Sequence, residues 1–338
     1  MNAVLVLHAS IALLPVLLFL AGLVHLDAWK LLRPGTVLAL VAAGALAAGA
    51  SYLVNNGVYG HFSGSFTAYS RFVSPWIEEA LKAVVVAFLI RTRRVGLAVD
   101  AGIAGFAVGS GFALIENAYY LASRPETALA VQVIRGFGTA LMHGGTATVM
   151  AMISVTLYER RPHGGLQLLL PGLLAAVALH TGFNLLLGQP AVATLAILVA
   201  LPLVIYGVFR HSERVLREWL ETDLDSNVRL LESINTGSFL DSPAGRHLQG
   251  LRERFRGEDL ADMLCCLRLH AELALRAKGV LLMRESGLEE LPLDAETREK
   301  IEELAQLRRA IGRAGVLALR PLMMATGKDM WELTLLGR

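Results

Sequence analysis

The stretch SPWIEEALKAVVVAFLI, residues 74–90, is apolar enough to enter a bilayer, yet it carries Glu78, Glu79 and Lys82 near its start. A charged side chain at the centre of a membrane helix costs about 2.5–3.5 kcal/mol even on insertion scales, so intramembrane carboxylates need a reason. Ser74 and Pro75 predict an N-cap and a first-turn proline, which puts both acids where a helix dipole favours them. On that helix Lys82 falls about 40° from Glu78 and about 60° from Glu79, between the two. One carboxylate can then pair with the ammonium group while the other takes a proton from water.

Outward from that segment, three more apolar stretches each carry unexpected polar groups: Glu116-Asn117, His143, and His180 with Asn184. Phe112 lies one turn before Glu116, and Gly105, Gly109 and Gly111 precede it, a spacing that permits close helix contact. Gly144-Gly145 follows His143 and clears space beside its ring, while His180 and Asn184 share a helical face. Each group has a plain structural reading: an acidic cap at the headgroups, hydrogen bonds between helices, packing of a membrane histidine. Together they are the chemistry of a water-activating site, with donors for the oxyanion that forms when water attacks an amide.

Composition supports a membrane protein. Apolar residues make up 54% of the 338 and charged residues 18%, too apolar for an ordinary soluble chain. Residues 1–210 hold 12 of the 31 Lys and Arg and 7 of the 29 Asp and Glu. The chain therefore reads as a transmembrane domain, 1–210, followed by a charge-rich helical domain, 211–338. Seven stretches, 3–25, 36–54, 72–90, 97–121, 136–158, 166–187 and 191–209, approach the ~20 residues that a crossing takes. The expected fold is all-α: a polytopic bundle of about seven spans, with 128–135 as a surface helix or part of a tilted span. The first span shows no cleavage signal and reads as retained.

Lys30 and Arg33, then Arg91, Arg93 and Arg94, then Arg160 and Arg161 fall in alternate connections, and Arg210 opens the tail. The positive-inside rule puts the N-terminus outside and 211–338 in the cytoplasm. With that orientation all four polar sites sit roughly 7–11 Å beneath the outer face, at 1.5 Å per helical residue. No basic run suggests a nucleic-acid partner. The neighbouring Cys265 and Cys266 fit a reducing compartment.

The assembled residues resemble the PrsW family of intramembrane proteases, relatives of the CAAX prenyl-protease group. EEALK at Glu78–Lys82 matches the family's EExxK, FALIEN at Phe112–Asn117 its FxxxEN, His143 its lone histidine, and HTGFN at His180–Asn184 its final HxxxN-like element. The resemblance covers roughly residues 70–187 and implies peptide-bond hydrolysis by glutamate-activated water, without a cofactor. It implies Glu78 or Glu79 as base, His143, His180 and Asn184 orienting water or holding the oxyanion, and Lys82, Phe112, Glu116 and Asn117 in support. The implied substrate is a single-span membrane protein cut on its outer side, such as an anti-sigma factor.

Two other readings remain open. A zinc-dependent version would use Glu79, His143 and His180 as ligands, and ranks second because no HExxH helix is present. A non-catalytic scaffold or transporter would use the same groups for binding or proton coupling, though no internal repeat of the transporter kind is visible. The outward segment 55–71 either frames substrate access or simply connects two spans. In the charged half, Leu216, Leu220 and Leu224 continue the last span, Asp294 predicts an N-cap for a helix over 295–319, and Gly257 and 287–292 predict breaks. His247, His270 and the two cysteines match no zinc spacing. Regulation, self-association and docking of a cytoplasmic partner are open roles for 211–338.

Overall fold

The computed structural model describes residues 3–27, 29–124, 128–161, 164–186, 188–288, 294–323 and 327–336. Every regular element among them is helical, and the chain divides into two compact units, 1–212 and 213–338. The first unit contains α1 (Ala3–Leu26), α2 (Pro34–Tyr59), α3 (Phe66–Phe72), α4 (Ser74–Arg91), α5 (Ala98–Ser123), α6 (Leu129–Ile134), α7 (Ala140–Arg160) and α8 (Leu170–Leu186). The next helix, α9 (Pro190–Asn235), contains the boundary between the units.

Among the described residues, six helical stretches are long and apolar enough to cross a membrane: Val6–Leu26, Pro34–Tyr59, Ala98–Ser123, Leu129–Arg160, Leu166–Leu186 and Pro190–Asn235. The remaining expected span, 72–90, is α4, an 18-residue helix. It falls outside that set because it carries Glu78, Glu79, Lys82 and Arg91. The sequence signal that singled α4 out is the same one that weakens it as a plain lipid-facing span.

Helix α5 is the centre of the first unit, buried almost continuously from Val99 to Ala113. Glycines make this possible. A Cβ on Gly44 of α2 would collide with the Val108 carbonyl of α5, and one on Gly111 of α5 with the Val41 carbonyl of α2. On the other side, a Cβ on Gly109 would stand 2.6 Å from Gly144 Cα of α7. Backbones therefore touch where side chains would hold them apart.

Several expectations are corrected. Residues 128–135 are not a separate surface helix: α6 runs through a π-helical turn, Arg135–Thr139, straight into α7. Gly136 there abuts the Ile11 carbonyl of α1, leaving no space for a side chain. Segment 55–71 is largely helical, divided between the end of α2 and α3. Ser74 is the first residue of α4 and not its cap; the N-cap is Val73, with no side-chain bond.

The second unit adds α10 (Pro243–Gln249), α11 (Gly257–Glu285), α12 (Ala295–Ala310), α13 (Gly312–Met323) and α14 (Gly327–Leu336). Its core gathers Met263, Leu267, Leu273, Leu304 and Leu319. Asp294 does cap α12, accepting from the Thr297 amide at 2.8 Å. The helix expected over 295–319 is interrupted at Gly312, whose φ of +65° favours glycine. The predicted break at 287–292 begins at Gly287, φ +68°; 289–292 lie outside the described residues.

Two predictions follow from this packing. Gly109→Ala should lower the thermal midpoint of the full-length protein in detergent, by the equivalent of at least about 1–3 kcal/mol. Gly49→Ala, with nothing within 4 Å of the new Cβ, should leave it unchanged or raise it. In the second unit, burial pushes His270 down to about 4, and the Arg308 guanidinium and Lys278 ammonium act in the same direction, against the carbonyl of Met323 and the carboxylate of Asp223. The unfolded chain takes up that proton near pH 6.5, the folded one near 4. Stability present at neutral pH is therefore lost as pH falls through that window, by roughly 2 kcal/mol at pH 5. Urea exposure of the buried Cys266 thiol, read by a labelling pulse at fixed pH, should shift to lower urea at pH 5, and His270→Gln should shrink the shift.

Candidate active site

Glu78 and Glu79 are neighbours in sequence and point to different surroundings, because successive helical residues are about 100° apart. Glu79 is completely buried, as is Lys82. Its Oε1 accepts from Lys82 Nζ at 2.8 Å, from Thr146 Oγ1 at 3.1 Å and from His180 Nδ1 at 2.8 Å. Its Oε2 is buried and has no hydrogen-bond partner among the described residues. Glu78 instead lines a cavity of about 640 Å³ and accepts from Ser74 Oγ at 2.6 Å. The serine read as a cap is a positioning group for that carboxylate.

Lys82 reaches a second partner, His143 Nδ1, at 2.9 Å, and its ammonium lies 4.6 Å from the centre of the Phe112 ring. A lysine is a donor only, so His143 accepts at Nδ1 and carries its proton on Nε2. That proton is donated to Glu116 Oε2 at 2.6 Å. Glu116 is further held by Arg135 at 3.1 Å, whose guanidinium stacks 3.6 Å from the Tyr120 ring centre. For His180 the assignment is opposite: its Nδ1–H goes to Glu79, leaving the Nε2 lone pair towards Glu78 Oε2 at 3.8 Å. That gap is too long for a direct hydrogen bond and suits a bridging group.

The two imidazoles are 4.9 Å apart, edge to face, and the His143 ring lies 4.9 Å from Phe112. The space expected beside His143 is not left open: Gly144 accommodates the Phe106 ring and Gly145 the side chain of Leu201. Asn184 lines the cavity and donates one amide hydrogen to the Ser70 carbonyl at 3.1 Å, which ties α3 to α8. Asn117 is set apart from this chemistry. Its amide donates to the Ala12 carbonyl at 2.8 Å and to the Arg135 carbonyl at 3.3 Å, holding α5 to α1 and to the π-helical turn.

Helices α4, α5, α7 and α8 thus bring Glu78, Glu79, Lys82, Phe112, Glu116, His143 and His180 into one network. A family model described as PrsW family intramembrane metalloprotease matches residues 33–207, just over half of the chain. The chain belongs to the PrsW family. It is a membrane-embedded protease, and its substrates are accordingly membrane proteins. No curated protein and no solved structure matches it.

The family description names a metal, and the donor set here fits one. Among the described residues, ligand atoms of Glu78, His143 and His180 lie within 4.8 Å of one another. One carboxylate and two imidazoles, with one ring steadied from behind by Glu79, suit a divalent cation. The carboxylate in this cluster is Glu78, where the zinc-dependent reading of the sequence has Glu79 with His143 and His180. Glu79 already serves three donors.

Arg135, Thr146 and Ser74 were missed from the sequence. Arg135 left a trace, as a cation on the side of the membrane where few occur. Thr146 left none, since hydroxyls are common in membrane helices, and Ser74 was read only as a cap.

Removing the cation should expose the cost of this network. Lys82→Met leaves Glu79 buried without its counter-charge and should destabilise the protein by about 3–5 kcal/mol. Lys82→Met combined with Glu79→Gln should recover much of that loss in a detergent melt. A single Lys82→Met variant as stable as the parent would contradict the arrangement.

Proposed function

We propose that the protein hydrolyses a peptide bond in a single-span membrane protein, near the extracytoplasmic face, with Glu78 as general base. The observation that carries this reading is the contrast between the two acids: Glu79 is saturated on one oxygen and sealed, whereas Glu78 opens on the cavity. Water lodged between Glu78 Oε2 and His180 Nε2 would give a proton to the carboxylate as its oxygen attacks the scissile carbonyl carbon. Glu78 then returns that proton to the departing amine. The second amide hydrogen of Asn184 is available for the oxyanion.

Orientation supports the outer location. The cavity is lined by the ends of α2, α5 and α8 and the starts of α4 and α7, while Arg91, Arg93, Arg94, Arg160 and Arg161 cluster in the opposite connections. An anti-sigma factor is one substrate of the right topology.

A second reading is favoured by the clustered donor set. Glu78, His143 and His180 would hold a divalent cation such as zinc, which supplies Lewis-acid polarisation and a readily ionised bound water. His143 would give up its Nε2 proton, and Glu116 would be the cavity carboxylate left to carry protons.

Reconstituted protein with a single-span reporter tests both. Glu78→Gln should lower cleavage by about 10²–10⁴-fold while the protein still inserts. Cleavage that persists after chelator dialysis assigns the reaction to Glu78 alone; loss on chelation and return with zinc assigns the cation. Full-rate cleavage by Glu78→Gln contradicts both.

A further inference from the structure

The cavity wall carries a cation that the chemistry above does not use. Arg71 lines the cavity and is half-buried, and among the described residues no carboxylate lies within ion-pair distance of it. The other arginine on the wall, Arg135, is matched by Glu116. A guanidinium presents a planar fork of donors shaped for a carboxylate, and that of Arg71 stands on the cavity wall with no such partner among the described residues.

Arg71 is also held in place. It lies in the last turn of α3, a helix anchored at the two residues that precede it. Tyr69 Oη donates to Asn55 Oδ1 at 2.8 Å, and the Ser70 carbonyl accepts from Asn184 at 3.1 Å. The rings of Tyr59 and Phe62 pack on Tyr69 at 5.0 and 5.4 Å. The arginine is therefore presented from an anchored turn, and it shares the cavity lining with the aromatic side chains of Tyr52, Tyr59, Phe66 and Tyr119.

We infer that Arg71 is a specificity-determining residue that binds an Asp or Glu side chain of the substrate, on the stem flanking the cleaved bond, with apolar neighbours of that acid against the aromatic wall. This rests on the proposed proteolysis at Glu78. A purely structural role for Arg71, answering the carbonyl ends of α3, would affect stability and leave substrate preference unchanged.

The probe is a series of synthetic single-span peptides, drawn from stems of membrane proteins, in which each stem position holds Asn, Asp or Lys in turn. They are presented to the full-length protein in detergent and kcat and KM are measured separately. At one position Asp should raise kcat/KM over Asn by about tenfold or more, chiefly through KM, as a charge-assisted bond would. Arg71→Gln should erase that advantage, Arg71→Lys should keep part of it, and Arg71→Glu should transfer it to Lys. Equal Asp, Asn and Lys profiles for the parent protein and Arg71→Gln, with Glu78→Gln still inactive, would overturn the inference alone. Undiminished cleavage by Glu78→Gln, or no peptide cut by the parent protein, would overturn the reading beneath it as well.

Discussion

The site depends on a lysine and a glutamate buried together. Lys82 and Glu79 are inaccessible to solvent and 2.8 Å apart, in an environment where neither charge would persist alone. Burying such a pair adds little net stability, because desolvation consumes most of the attraction. Its consequence is geometric. The ammonium group has donors to spare and the carboxylate oxygen accepts more than one bond, so each reaches a histidine on another helix: Lys82 finds His143 on α7, and Glu79 finds His180 on α8. Three helices are thereby fixed relative to one another, with Phe112 of α5 against the lysine. The same bonds set opposite tautomers on the two imidazoles and turn the adjacent Glu78 into open space.

Polar anchoring of this kind needs helices that are already close, and the glycines supply that. Gly109 lets the backbone of α7 settle against α5 at His143 itself, and Gly144 receives the Phe106 ring. Packing on the apolar side of the network and hydrogen bonding on its polar side therefore specify one position for His143. The cavity lies at the far end of this dense region, where α2 and α5 present tyrosines in place of small residues. A tightly packed floor and a wider mouth are what a hydrolase inside a bilayer requires: the reacting groups must be held rigidly while water and a peptide are admitted.

Much of this was legible in the sequence. The shared depth of Glu78, Glu116, His143 and His180 follows from span ends and 1.5 Å per residue, and the structure does bring those side chains together. Lys82 pairing with one acid and leaving its neighbour follows from angles alone. The choice between the two acids did not, because a helical wheel shows which residues share a face without showing what stands opposite. The hydroxyl of Thr146 was silent, and that of Ser74 was read as a cap, for the same reason: their role comes from neighbours on the folded chain. Gly144-Gly145 suggested open space beside His143, and that space is filled by Phe106 and Leu201, which are distant in sequence. The span at α4 was blurred by its own charges, and Gly312 broke a helix whose apolar periodicity ran on past it, because a left-handed residue leaves no mark on that pattern.

The network makes a claim about protons that can be read directly. Nitrogen-15 NMR of histidine-labelled, chelator-treated full-length protein in micelles at neutral pH, assigned with His143→Gln and His180→Gln, distinguishes the two neutral tautomers. His180 should carry its proton on Nδ1 and His143 on Nε2. Matching tautomers on the two rings, or shifts that follow bulk pH as exposed histidines do, would contradict the arrangement of Lys82 and Glu79 on which the site is built.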